Sequence, residues 1–227
     1  MKLKIGLLGI ASILILLLNS CASSNIPMKN DFYKNNKKLG IIYTIDDIGI
    51  YKGGAQGLLD MALTPGDRFR EALIIIDSTV NPTNRIKSLF SDMLVSKNKS
   101  FIELDYIYDQ NNFIKFENPK NSKIKYHKYD LRGIKNKGID ELLIIRVKHG
   151  LLVSYYGVIE TGKFGYCGIY SEIIDLNDNS IVFKNLLDAT AKIKGEWKTP
   201  PKYENLESAI ETAITTTLAK EKSNLNK

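Results

Sequence analysis

The stretch from Gly138 to Phe183 constrains the fold more than any other part of the chain. Gly138-Ile139-Asp140-Glu141 leads into Leu142-Leu143-Ile144-Ile145-Arg146-Val147, an apolar run that reads as a strand. Leu151 to Ile159 reads as another strand, and a longer one runs from Tyr166 to Leu176. Asn177-Asp178-Asn179-Ser180 then turns the chain, and Ile181-Val182-Phe183-Lys184 returns, which makes a hairpin by turn chemistry and by flanking residues. After Trp197 and Pro200-Pro201, the residues Leu206, Ile210, Ala213, Ile214 and Leu218 recur at helical spacing and mark a buried stripe on a last helix. The fold class is therefore α/β, with mixed α+β as the alternative: a single three-layer-like domain with a mixed sheet, a C-terminal hairpin and a final amphipathic helix.

Upstream, Leu39-Gly40-Ile41-Ile42-Tyr43-Thr44-Ile45 has the composition of a buried first strand. Asp46-Asp47 breaks it, and Ile48-Gly49-Ile50-Tyr51 reads as a returning strand of a hairpin. Gly53-Gly54-Ala55-Gln56-Gly57 leads into a short helix over Leu58–Leu63, closed by Pro65-Gly66. This glycine cluster lacks the lysine and hydroxyl of a phosphate loop and also fails the G-x-G-x-x-G spacing, so it reads as a tight turn or surface loop. Ala72 to Asp77 is a continuous apolar run that fits a strand or the buried end of a helix beginning near Asp67. Asn81-Pro82-Thr83 starts a helix whose Ile86, Leu89, Phe90, Met93 and Leu94 face the core. Between Ser100 and Tyr126, Phe101–Leu104 and Phe113–Phe116 read as two strands, the second alternatively an inserted arm. Tyr129 to Lys137 makes a brief helix that Gly138 ends in the left-handed conformation.

The N-terminus begins with Lys2 and Lys4, continues as an uncharged stretch of 14 residues from Ile5 to Leu18, and closes on Asn19-Ser20-Cys21. Spanning a bilayer takes about 20 apolar residues, so the run suits secretion and cleavage better than a membrane helix. Leu18-Asn19-Ser20-Cys21 resembles the lipobox of bacterial lipoproteins, with Asn19 departing from the usual small residue. The resemblance implies a signal peptide over residues 1–20, diacylglyceryl attachment at Cys21 and a membrane anchor. Residues 22–37, polar and rich in Asn, Ser and Lys, read as a flexible tether reaching roughly 55 Å extended and roughly 20 Å as a coil. The domain then occupies 38–222, and 223–227 read as a disordered tail. Ala22 stands where an aspartate would argue for inner-membrane retention, so the lipoprotein resemblance implies the outer membrane facing the periplasm, with surface exposure or the inner membrane as alternatives.

Charge and cysteines exclude more than they identify. The net charge of +7 falls to +5 when Lys2 and Lys4 are removed. The remaining lysines are scattered among acids, as in Lys192, Lys194, Glu196 and Lys198, and arginines are few, so nucleic acid is not an expected partner. With Cys21 acylated, Cys167 has no intramolecular disulfide partner and reads as a buried inert thiol. No motif places His127 or His149, and no zinc spacing, G-x-S-x-G or S-x-x-K is present. No catalytic residue, metal or cofactor is expected.

Helix, Gly138-Ile139-Asp140-Glu141-Leu142-Leu143-Ile144, the hairpin Ile173–Phe183 and a C-terminal helix together resemble a group of envelope α/β lipoprotein domains. That group includes the curli secretion-channel lipoprotein, the lipoprotein activators of penicillin-binding proteins and the N-terminal domain of the Tol-system propeller protein. The likeness covers roughly residues 81–220 and is one of fold. It implies a non-enzymatic function through contact with another envelope protein. Tyr106, Tyr108, Tyr126 and Tyr129, with Trp197, are the candidate interaction surface, since tyrosine joins apolar area to a hydroxyl, although it is equally ordinary on strands. Two other classes remain. A small-molecule or glycan-binding module requires a deep pocket. A hydrolase requires two or more of Asp46, Asp47, His127, His149, Asp175 and Cys167 to converge.

Overall fold

One 16-residue strand, β4 (Glu141–Tyr156), is the axis on which the rest assembles. The computed structural model describes residues 25–29, 31–55, 62–63, 67–120 and 122–225. Around β4 lie β1 (Leu39–Ile45), β2 (Gly49–Ala55), β3 (Phe101–Glu103), β5 (Ile159–Asp175) and β6 (Ile181–Lys192), with helices α1 (Arg70–Asp77), α2 (Thr83–Ser96) and α3 (Glu204–Leu225). The sheet is mixed: its order is β3-β1-β4-β5-β6, and β2 also pairs with β4. β5 is antiparallel to both β4 and β6, while β1 is parallel to both β3 and β4.

Asp46-Asp47 is not the turn of a hairpin. β1 and β2 run the same way along β4, Ile45 opposite Val147 and Gly49 opposite Gly150, so Asp46, Asp47 and Ile48 face only Lys148 and His149. The extra residue is a bulge, and it reverses the alternation of side chains. Leu39, Ile41, Tyr43 and Ile45 point to the helices before it, and Ile48 and Ile50 do so after it. Gly150 sits at φ 141, where a Cβ would come within 2.1 Å of the Gly49 carbonyl oxygen, so the bulge requires glycine there.

Leu151–Ile159, expected as a separate strand, is mostly the second half of β4. The reversal falls at Gly157-Val158, between paired Tyr156 and Ile159, with Gly157 at the positive φ that two-residue hairpin loops favour. Phe113–Phe116 supplies only an isolated bridge, Lys115 to Tyr129. Ala72–Asp77 is helical, Ile86, Phe90, Met93 and Leu94 are the buried stripe of α2, and Gly138 ends a 3-10 helix, Arg132–Lys137, at φ 75.

All three helices cover one face. Leu206, Ile210, Ala213 and Ile214 of α3 meet Cys167, Ile169 and Ile173 of β5 in a core that also holds Phe69, Ile76 and Phe90. α3 approaches so closely that a Cβ on Gly165 would lie 2.2 Å from the Ala209 backbone. The opposite face carries a smaller core, Ile42, Leu131, Ile134, Ile139, Leu142, Ile144, Ile174 and Leu176, roofed by the irregular segment between β3 and β4. The third layer is thus built of loop and 3-10 turns.

The domain boundaries shift outward. Residues 31–37, expected as tether, are packed: Phe32 is 1% exposed in the main core, and Ile26 bridges Lys184 at the edge of β6. The buried Lys99 ammonium donates to the Phe32 carbonyl at 3.1 Å and to Glu141 Oε2 at 3.0 Å, and Lys37 pairs with Asp175. Tyr33 donates to the Leu225 carbonyl at 3.1 Å, and Leu225 is itself buried, so residues 223–225 belong to α3 and not to a tail. Apolar residues at both ends, Phe32 and Leu225, find the same core. The signal segment, Cys21 and most of the expected 58–63 helix lie outside the described residues.

Candidate functional site

The six candidates for hydrolytic chemistry do not form one site. Asp46 and Asp47 stand at the bulge, and Asp175 closes the hairpin end of β5. Burial would raise the Asp175 carboxyl, but hydrogen bonds from Lys37 and from the Asn177 backbone and side chain outweigh it and hold the group below its ordinary range. Cys167 and His149 are partners across the β4–β5 ladder on the helix-covered side. Cys167 is fully buried and its thiol is pushed up to about 12, chiefly by that burial, the reverse of a nucleophile's environment. His149 is 3% exposed, neither ring nitrogen makes a hydrogen bond, and burial lowers its pKa against the pull of Asp77 and Asp46. His127 lies on the other face. Its Nδ1 is 3.0 Å from the Tyr129 carbonyl oxygen, and its Nε2 is 3.4 Å from the Tyr108 hydroxyl and 3.6 Å from Glu172. Among the described residues no group of three His, Cys, Asp or Glu is placed to hold a metal.

The five expected interaction residues separate in the same way. Tyr106, Tyr108 and Tyr129 pack half-buried against the smaller core, and Tyr126 lies 5.3 Å from the Phe116 ring in the roof above it. Arg146 joins roof to sheet, its guanidinium 5.5 Å from the Tyr108 ring and 4.6 Å from that of Tyr170. Trp197 belongs to the helix side, 4.9 Å from Phe69. The tyrosines therefore hold the roof to the sheet.

A different set of aromatics is left open. The roof ends part-way along β4 and β5, and beyond it Tyr51, Leu152, Phe164 and Tyr166 are half-buried, like the roof tyrosines, but join neither core. Each ring lies over a glycine two residues away on its own strand. A Cβ on Gly49 would meet the Tyr51 hydroxyl at 2.9 Å, one on Gly168 that of Tyr166 at 2.5 Å, and one on Gly162 the Phe164 ring at 2.8 Å. Tyr51 and Tyr166 touch across β4 with centroids 4.9 Å apart. The rings tile the open half of the sheet, and the hairpin beyond it exposes Tyr156, Val158 and Ile159 at 70%, 52% and 65%. The signal was present in the sequence as Gly49-Ile50-Tyr51, Gly162-Lys163-Phe164 and Tyr166-Cys167-Gly168. Aromatic and glycine on one face of a strand, two apart, replace a packed layer with a low relief.

Depressions elsewhere among the described residues are the alternatives to this face. A depression of about 480 Å³ between α2 and α3, lined by Arg85, Leu89, Asp92, Leu218 and Lys222 among others, is open to solvent. Smaller ones of about 370 and 380 Å³ lie along α3 with β6 and beside Trp197. Another of about 360 Å³ lies where Ile26, Pro27 and Met28 meet Phe183, with Asn25 and Asn185 beside them.

No family model and no curated protein matches the chain. Among solved structures it is similar to lipoprotein GNA1162 from Neisseria meningitidis, at 10% identity over 81% of this chain and 99% of that one, with a TM-score of 0.29. Protein XCC0632 from Xanthomonas campestris shows 9% identity over 87% of each chain and a TM-score of 0.34. A neuraminyllactose-binding hemagglutinin homolog from Helicobacter pylori shows 11% identity over 89% of this chain and 90% of that one, also at 0.34. At these scores the likenesses carry no argument about function. No helix among the described residues is long and apolar enough to cross a membrane.

Proposed function

We propose that this chain is a lipid-anchored envelope protein, held through Cys21, that works without catalysis by docking its open half-sheet on another envelope protein. The observation that carries the reading is the ring-tiled face of Tyr51, Leu152, Phe164 and Tyr166, which is apolar, low in relief and joins neither core. Exposed apolar area beyond scattered single residues marks contact surfaces, and aromatic residues are enriched where such contacts are made. The lipobox-like Leu18-Asn19-Ser20-Cys21 supports the anchor, and the resemblance to the curli-channel and penicillin-binding-protein-activator lipoproteins supports protein contact as the kind of work, at the outer membrane facing the periplasm. His127 and Asp175 lie apart from the rest, and although Asp46, Asp47, His149 and Cys167 neighbour one another at the bulge, the His149 ring bonds to none of them and burial pushes the Cys167 thiol up, which does not favour a hydrolase.

The test is a pull-down of the anchored full-length chain from its own membranes after mild crosslinking, beside a Tyr51→Asp, Tyr166→Asp double variant. The expected outcome is a crosslinked protein partner that the double variant loses while its melting transition stays cooperative. A partner held equally by both chains overturns the assignment of this face.

A further inference from the structure

The packed N-terminus fixes which side of the domain meets the lipid. Ile26 bridges Lys184 in the antiparallel sense, and the Leu186 amide donates to Asn25 Oδ1 at 3.2 Å, so Asn25 is seated on the free edge of β6. Cys21 stands four residues earlier, and even fully extended those steps span no more than about 14 Å. A packed chain of this size has a radius of gyration of about 17 Å and an outer radius somewhat larger. The leash is shorter than the domain is thick, so the domain cannot stand clear of the surface or turn another side to it. We infer that the β6 edge, with Leu186 at its centre, lies against an anionic lipid headgroup surface; this rests on lipid attachment at Cys21.

The composition of that edge fits the position. Leu186 is 47% exposed and belongs to neither core. Lys184 and Lys192 flank it on the same face of β6, and Lys220 of α3 reaches over to donate to the Asp188 carbonyl at 2.8 Å. Asp188, between Leu186 and Lys192, is the one acid on that face of the strand. Lysines bordering an apolar side chain suit phosphate headgroups above an acyl boundary, because the ammonium stays in the wet layer while the leucine enters it. A long edge strand left open to water is a template for unwanted pairing, and here Ile26 blunts one position while the membrane shields the rest. The opposite edge, β3, is four strand spacings away, about 19 Å, and faces solution in this orientation.

Orientation is read with an environment-sensitive dye on the lipidated full-length chain, reconstituted in phosphatidylethanolamine–phosphatidylglycerol vesicles carrying nitroxide lipids. One variant is Leu186→Cys and the other Val95→Cys, at the exposed end of α2 beside β3; Cys21 is acylated and Cys167 is buried. The dye at 186 is expected to be quenched at least about threefold more than at 95, and the difference to shrink when phosphatidylglycerol is omitted. Equal quenching, or stronger quenching at 95, on a chain whose lipid is confirmed by mass overturns the orientation and leaves the anchored reading standing. A chain that carries no lipid at Cys21 overturns both. Lys192 stands opposite Phe164 and Leu186 opposite Tyr170, so this edge borders the docking face; loss of the protein partner in the Tyr51→Asp, Tyr166→Asp variant is expected to leave the quenching unchanged, because the short leash and not the partner sets the orientation.

Discussion

Both sides of this sheet carry apolar residues at alternate positions, yet one side is a core and the other, over half its length, is a surface. On the helix side β5 presents Cys167, Ile169 and Ile173, and α1, α2 and α3 close over them. On the reverse it presents Phe164, Tyr166 and Gly168, and the rings lie down over neighbouring glycines. The comparison teaches that apolar alternation fixes which residues share a face, while what lies two positions along decides whether that face rises to meet a second layer. Gly165, on the helix side, is the counter-case: its missing Cβ admits the backbone of α3 itself.

The largest expected effect is on the covered side. Phe90 is fully buried in α2, and Phe90→Ala should cost about 3–5 kcal/mol of stability, read from the urea midpoint at unchanged slope. A loss below about 1 kcal/mol would mean that the helices cover this face loosely and that the contrast between the sides is false.

Much of the covered side was legible in the sequence. The stripes of α2 and α3 announced themselves at helical spacing, and Asn177–Ser180 carried enough turn chemistry to give the β5–β6 reversal. The bulge was not legible, because Asp46-Asp47 has the composition of a turn and only the parallel partner β4 shows that the chain goes straight on. Neither was the packed N-terminus: Phe32 and Tyr33 sit among Asn and Lys, and the charges that hold the segment, Lys99, Glu141 and Asp175, come from far along the chain. The proposed face was hidden for a related reason. Tyr106, Tyr108, Tyr126 and Tyr129 cluster in sequence, whereas Tyr51 and Tyr166 meet only through the register of β2, β4 and β5.

A smaller effect separates polar groups on the two sides. Glu221 of α3 is buried against β5 and β6, accepting from Ser171 at 2.8 Å and Asn185 at 2.6 Å, with no cation in contact. Burial raises its pKa and the two donors only partly offset this. An acid whose pKa is higher folded than unfolded favours the folded state at low pH, and that advantage is lost as pH rises through the folded value. Glu221→Gln should therefore gain stability relative to the natural chain as pH rises from 4 to 7, measured by urea unfolding at each pH. A difference that does not move with pH would place the carboxylate in water.

The smallest effect is expected on the open half of the sheet. Tyr166 lies over Gly168 on the open half, half-buried but outside both cores, so Tyr166→Ser removes a ring that contacts Tyr51 but supports no layer. Its ring contact and partial burial together amount to roughly 1 kcal/mol, against the several expected at Phe90. Calorimetry of the two variants side by side gives the ratio. A Tyr166→Ser loss matching that of Phe90→Ala would show that the open half is packed under some other part of the chain, and the face would then be a core and not a site. A small loss of stability together with loss of the crosslinked partner is the combination that only a docking surface produces, because a residue that merely holds the fold cannot lose its partner without also lowering the melting transition.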